Sequence, residues 1–191
     1  MLLLGSRLIG TSVMSLQTGT KLAVTRLPII DPANLKITAY EVDGAMLVEK
    51  PSFIRIADIR ELSNIGMIVD SNDEFINLTD VISIKKIYDL GFKLIGLDVI
   101  DEIKHKLGKI DDYVVDTDSF IIQKLSVRRG FFKSLSETGL LINRSQIIEI
   151  NDKAIIVRAA AKKLEPIEPP KQLAYLNPFR SQSPQIENKT L

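Results

Sequence analysis

Leu8-Ile9-Gly10-Thr11-Ser12-Val13-Met14-Ser15 is echoed by Leu94-Ile95-Gly96-Leu97-Asp98-Val99-Ile100-Asp101. The echo continues in the same order. Lys21-Leu22-Ala23-Val24 answers Lys106-Leu107-Gly108-Lys109-Ile110 with a slip of one residue. Residues 37–42 answer 122–127, and 57–69 answer 145–157. A repeat of about 85 to 88 residues is too long for a solenoid unit and long enough for a small domain. The chain therefore reads as two copies of one small β domain.

Composition points the same way. Of 191 residues, 45% are apolar and 27 are isoleucine, whose β-branched side chain suits pleated, half-buried surfaces. Two such small units each build a modest core, which predicts that they dock on one another. The absence of Cys removes disulfides, thiolate nucleophiles and Cys metal sites. Residues 1–79, 80–158 and 159–191 carry net charges of −2, +1 and +2, which disfavours nucleic acid as the main ligand. Met1-Leu2-Leu3-Leu4 runs into Gly5-Ser6-Arg7, the wrong order for a signal peptide, and no apolar run is long enough for a transmembrane helix. The expectation is a cytoplasmic protein without an integral membrane segment.

The first unit, residues 1–78, should hold strands over 21–30, 35–42, 53–56 with 59–62, and 66–69. Asp31-Pro32-Ala33-Asn34 reads as a hairpin turn, with proline fixing φ and aspartate bonding back to the backbone. Residues 79–91 read as a short linking helix that braces the units, with Thr79 as N-cap and Gly91 just past the end. A strand over 81–84 is the competing reading. The second unit, 92–158, should hold strands near 98–100, 106–115, 119–128, 140–142, 147–150 and 154–158, with Asp116-Thr117-Asp118-Ser119 matching the first hairpin turn. Residues 159–191 contain five of the eight prolines among polar residues and read as a disordered tail. Leu173, Tyr175, Leu176 and Phe179 within it are either incidental or a short anchor for a partner.

The repeated pattern resembles the PRC-barrel family, the small β-barrel of reaction-centre H subunits and of a ribosome maturation factor. The marks are Leu94-Ile95-Gly96, Val99, Leu107-Gly108-Lys109-Ile110 and the acidic turn Asp111-Asp112. Residues 142–150 resemble the family's helical turn and final hairpin. The first unit keeps Leu8-Ile9-Gly10 but has Ala23 where the second has Gly108. The resemblance implies a mainly β fold of two tandem PRC-like barrels joined by a short helix. It also implies binding and assembly without catalysis, with a protein partner, by analogy a ribosomal one in small-subunit maturation. A membrane-peripheral adaptor is a further implication of the reaction-centre relative. Gly10, Gly96 and Gly108 are expected to serve bends or close backbone approaches that let a small barrel turn its corners.

No catalytic residue, cofactor site or metal site is expected. His105, the single histidine, lies between Lys104 and Lys106 and reads as surface. Asp111, Asp112, Asp116 and Asp118 fail the calcium-loop spacing and read as turn and rim residues. One cluster remains: Arg128, Arg129, Phe131, Phe132 and Lys133, with Arg144 near the helical turn. Guanidinium groups beside aromatics suit carboxylates, phosphates or stacked bases, so these residues are the candidate partner site, for protein first and RNA as the alternative. The plainer alternative has the phenylalanines plugging a barrel end and the arginines solvated.

Overall fold

The computed structural model describes residues 1–45, 47, 49–128 and 139–158. Expectations concerning 129–138 and the tail, 159–191, lie outside these residues.

The chain begins with β1 (Leu2–Leu4), a 3-10 turn at Gly5–Leu8, β2 (Ser12–Ser15), β3 (Lys21–Asp31), β4 (Lys36–Asp43) and β5 (Ser52–Arg55). A 3-10 turn at Ile56–Asp58 leads to β6 (Glu61–Ser63) and β7 (Gly66–Val69), and one at Asn72–Glu74 leads to β8 (Phe75–Ile76). After α1 (Ile82–Asp89) come β9 (Asp98–Asp101), β10 (Lys106–Asp116), β11 (Ile121–Arg128) and β12 (Leu140–Asn143). A last 3-10 turn, Arg144–Gln146, leads to β13 (Ile147–Ile150) and β14 (Ala154–Val157). The fold is mainly β, with one α-helix among the described residues.

The two halves repeat one pairing order. β2 lies antiparallel to β3 and parallel to β7, as β9 lies antiparallel to β10 and parallel to β14. β3, β4 and β5 form an antiparallel meander, as do β10, β11 and β12. β6 and β7 form a hairpin, as do β13 and β14. The ladder does not close. Its main path runs from β13 through β11 and β4 to β6. Each half returns on itself only through the chain at a 3-10 turn, between β5 and β6 or between β12 and β13, where the backbone leaves the ladder. One hydrophobic core runs through both halves, from Val13, Ile37 and Tyr40 to Val99, Tyr113 and Leu125.

The glycines serve two purposes. Gly10 and Gly96 are not bends inside strands: both sit in turns at positive φ, 76° and 89°, with open space where a side chain would go. Each donates its N–H to the matching strand, Gly10 to Thr25 at 2.9 Å and Gly96 to Ile110 at 2.8 Å. Gly108 is the close approach: a Cβ there would lie 2.3 Å from the Arg128 carbonyl oxygen. Ala23 occupies the matching place, since Val13 pairs with Ala23 as Val99 pairs with Gly108. The first half keeps its tight contact by moving the glycine across the ladder. A Cβ on Gly44 would lie 2.4 Å from the Leu22 carbonyl oxygen and 3.2 Å from the Ala23 methyl.

The helix forms, and the alternative strand over 81–84 does not. Thr79 is not its cap: Thr79 bonds Asn77 instead, and the cap position falls to Val81, which lends no side-chain bond. Gly91 follows the C-terminal turn at φ 62°, as expected. The helix packs on the first half. Ile84 packs with Ile29, Ala39 and Phe53 of the first half, and Tyr88 meets Phe53 edge-on at 5.5 Å. The halves are joined elsewhere. Lys36 of β4 pairs with Ile121 of β11, and β1 crosses over to pair with β10, Leu2 to Leu4 against Asp116 to Val114.

Candidate functional site

β10 and β11 form the long hairpin of the second half. Their register sets Lys109 directly opposite Arg128 at the open end. Like charges opposed across a ladder repel. Lys109 turns aside to Asp98 (3.1 Å) and to the Gly96 carbonyl (3.1 Å). Asp98, which also holds Lys106 at 2.8 Å, is thereby kept below the usual carboxylate range, Lys106 being the larger cause. Arg128 is exposed and makes no ion pair among the described residues. The matching position in the first half carries the opposite charge. Asp43, opposite Val24 as Arg128 is opposite Lys109, binds Arg26 at 2.9 Å and Lys50 at 3.3 Å. Those two cations hold its carboxyl below the usual range.

Arg144 lies elsewhere. β12 runs from Leu140, opposite Val127, to Asn143, opposite Lys124, so Arg144 is at the far end of β11 from Arg128. Roughly 15 Å of strand separates them. Its guanidinium donates to the Asn34 carbonyl of the first half's hairpin tip, beside a cleft of about 340 Å³ lined by Pro32, Leu35, Ile147 and Ile150. Arg144 is a tie between the halves rather than a neighbour of Arg128. Arg129, Phe131, Phe132 and Lys133 lie outside the described residues. A second open cleft, about 400 Å³, is lined by Ile9, Arg26, Leu27, Asp43 and Lys50 of the first half.

The acidic residues of β10 have structural work. Asp111 and Asp112 are in the strand, at a register shift, and not in a turn. Asp112 accepts from the N–H and hydroxyl of Ser6, at 3.1 and 2.6 Å. Asp116 accepts the Ser119 hydroxyl at 2.7 Å, which is the main reason its carboxyl lies below the usual range. Asp101 is buried at the β9–β10 turn, where it accepts the backbone N–H groups of Ile103 and His105. The exposed His105 imidazole lies 3.4 Å from that carboxylate. Among the described residues no three His, Asp or Glu side chains gather as a metal would require.

Residues 89–164 match the family model of the PRC-barrel domain. Over those residues the second half is similar to the PRC-barrel family. The match takes in the end of α1, β9 to β14 and both arginines described above. No curated protein matches the chain significantly. The PRC-barrel match covers the stretch where the Leu-Ile-Gly motif, Gly108 and the 3-10 turn of Arg144–Gln146 all fall. No helix of the described residues is long and apolar enough to cross a membrane.

Proposed function

We propose that this protein is a non-enzymatic binding and assembly module of two tandem PRC-like barrels, acting in the cytoplasm. The observation that carries the reading is Arg128. It is an exposed guanidinium at the end of a rigid hairpin, where the first half satisfies Asp43 internally with Arg26 and Lys50. A cation without an ion-pair partner among the described residues is complemented by a carboxylate from outside. Loops and edges on a rigid β scaffold are where binding groups concentrate. The common pairing order of the two halves supports the tandem reading. The partner is a protein presenting acidic groups, and small-subunit ribosome maturation is the process that the family resemblance suggests, by analogy alone.

The test is affinity capture from the native cell with the wild-type chain and with Arg128→Asp. Capture of a protein that is lost in Arg128→Asp at unchanged melting temperature supports the proposal. Undiminished capture makes Arg128 ordinary solvated surface. Capture of RNA, weakening steeply with salt, would turn the reading to the alternative.

A further inference from the structure

The cleft beside Arg144 has two walls, one from each half, and each wall is fixed by its own turn. On the first-half side, Asp31 accepts the Ala33 N–H and the Asn34 side-chain amide, both at 2.9 Å. The Asn34 side-chain oxygen accepts the Lys36 N–H, also at 2.9 Å. On the second-half side, the Gln146 side chain accepts the Asn143 N–H at 2.9 Å. The Gln146 carbonyl accepts the Arg158 N–H at 2.8 Å. These bonds hold the 3-10 turn that carries Arg144. Both walls are therefore set before anything enters, which spares a ligand the cost of ordering them.

Aliphatic side chains line the cleft from both halves: Pro32 and Leu35 from the first, Ile147, Ile148 and Ile150 from the second. Its volume of about 340 Å³ falls in the range of small-molecule sites, which favour junctions between units and use few polar groups. Two charged side chains join the lining. Arg144 is partly buried and forms no ion pair among the described residues. A guanidinium has five N–H donors, and the Asn34 carbonyl takes one of them without compensating the charge. Glu149 is exposed and accepts the Asn151 side-chain amide at 3.2 Å.

We infer that this cleft is a binding site for a monocarboxylate with an apolar body. The carboxylate takes two of the remaining Arg144 N–H groups side by side, the bidentate arrangement that a guanidinium offers. The aliphatic body lies against Leu35, Ile147 and Ile150. A second anionic group would meet Glu149, and like charges set together are costly, so the ligand carries one carboxylate. A free short-chain acid and the carboxyl terminus of a peptide ending in an aliphatic residue share this chemistry. The site is separate from Arg128, at the other end of β11.

The test follows the backbone amides of the isotope-labelled full chain by NMR while hexanoate is titrated in. Saturable shifts are expected at Leu35, Ile147 and Ile150. Hexanamide has the same body without the charge and should bind at least about tenfold more weakly, the loss of one charge-assisted contact. Adipate should also bind more weakly than hexanoate, because its second carboxylate meets Glu149. Arg144→Gln keeps a donor for the Asn34 carbonyl but not the charge, and should weaken hexanoate binding by a similar factor. Should that variant not fold, Ile148→Asp, at an exposed position of the wall, serves in its place. Acetyl-alanyl-leucine with a free or an amidated terminus separates the two sources. The free-acid peptide binding more tightly than hexanoate identifies a peptide terminus, and hexanoate binding more tightly identifies a free acid. The inference is overturned if neither acid saturates, if hexanamide or adipate matches hexanoate, or if the folded variant binds as wild type does.

Discussion

Leu35 and Phe120 occupy the same place in their two hairpins and join the halves reciprocally. The Ile122 N–H donates to the Leu35 carbonyl and the Ile37 N–H to the Phe120 carbonyl, both at 2.9 Å. Each residue adopts a positive φ, 51° for Leu35 and 55° for Phe120, and each is buried. A side chain held in that region costs about 1–2 kcal/mol. Burial of two large apolar side chains at the junction offsets it.

Phe120→Ala should therefore lower stability by about 3–5 kcal/mol, and Leu35→Ala by about 2–5 kcal/mol. Because the core is continuous across the junction, unfolding in urea should stay a single transition at a lower midpoint. Two separate transitions in wild type would show that the halves fold independently and that this contact is incidental.

The relocated glycine makes a second test. Gly108→Val drives a side chain into the Arg128 carbonyl and should cost about 3–5 kcal/mol. Gly44→Val, which meets the Leu22 carbonyl, should be nearly as damaging. Ala23→Val should cost about 1–3 kcal/mol, since a Cβ is already accommodated there. Thermal melts of the three variants decide the order. Equal losses at positions 23 and 108 would break the correspondence between the halves.

What could be read from the sequence was local or repeated. Asp31 and Asp116 mark hairpin turns because each carboxylate bonds within its own turn, a pattern visible in a few residues. The Leu-Ile-Gly motif and Gly108 were visible because they recur or nearly recur. The strand Leu2–Leu4 was not. Three leucines show no alternation, and the partner that makes them a strand is β10, far away in sequence. Arg144 read as a companion of Arg128 because sequence proximity to a turn says nothing about which end of a bent strand it occupies. Its true partner, the Asn34 carbonyl, belongs to the other half and leaves no sequence signal. Gly44 carried a signal, a glycine at the end of a strand facing Ala23, that becomes meaningful only once the register is known.

Acid should weaken the fold through identifiable carboxylates. Asp43 is held below 3.8 by Arg26 and Lys50, Asp70 by Arg60, Asp98 by Lys106 and Asp116 by Ser119. A folded pKa below the unfolded value means stability that is present above the unfolded value and lost as pH falls through the folded one. The melting temperature should hold from neutrality to about pH 5 and fall progressively below about pH 4. Asp43→Asn should flatten that fall only slightly and cost equally little at neutral pH, because both of its ion pairs are exposed. A melting temperature insensitive to pH below 4 would remove these pairs from the account.

Alkali should act on the junction itself. Tyr40 of β4 and Tyr113 of β10 are buried side chains from opposite halves whose hydroxyls face one another without meeting hydrogen-bond geometry. Burial pushes both phenols upward, and the proximity of Tyr113 raises Tyr40 further. Here the raised folded value belongs to a group that is neutral when protonated, so stability is full below the ordinary tyrosine value of 10 and is lost as pH climbs above it. Tyrosinate absorbance from these two residues should appear together with loss of the β signal in circular dichroism, not before it. A buried hydroxyl without a partner costs about 1–3 kcal/mol, so the Tyr40→Phe, Tyr113→Phe double variant should be as stable as wild type or more so. It should also withstand a higher pH before unfolding. If each single phenylalanine variant instead loses stability and the double variant recovers it, the two hydroxyls bond each other in solution. Ionisation of Tyr40 and Tyr113 ahead of unfolding would mean that water reaches the junction between the halves.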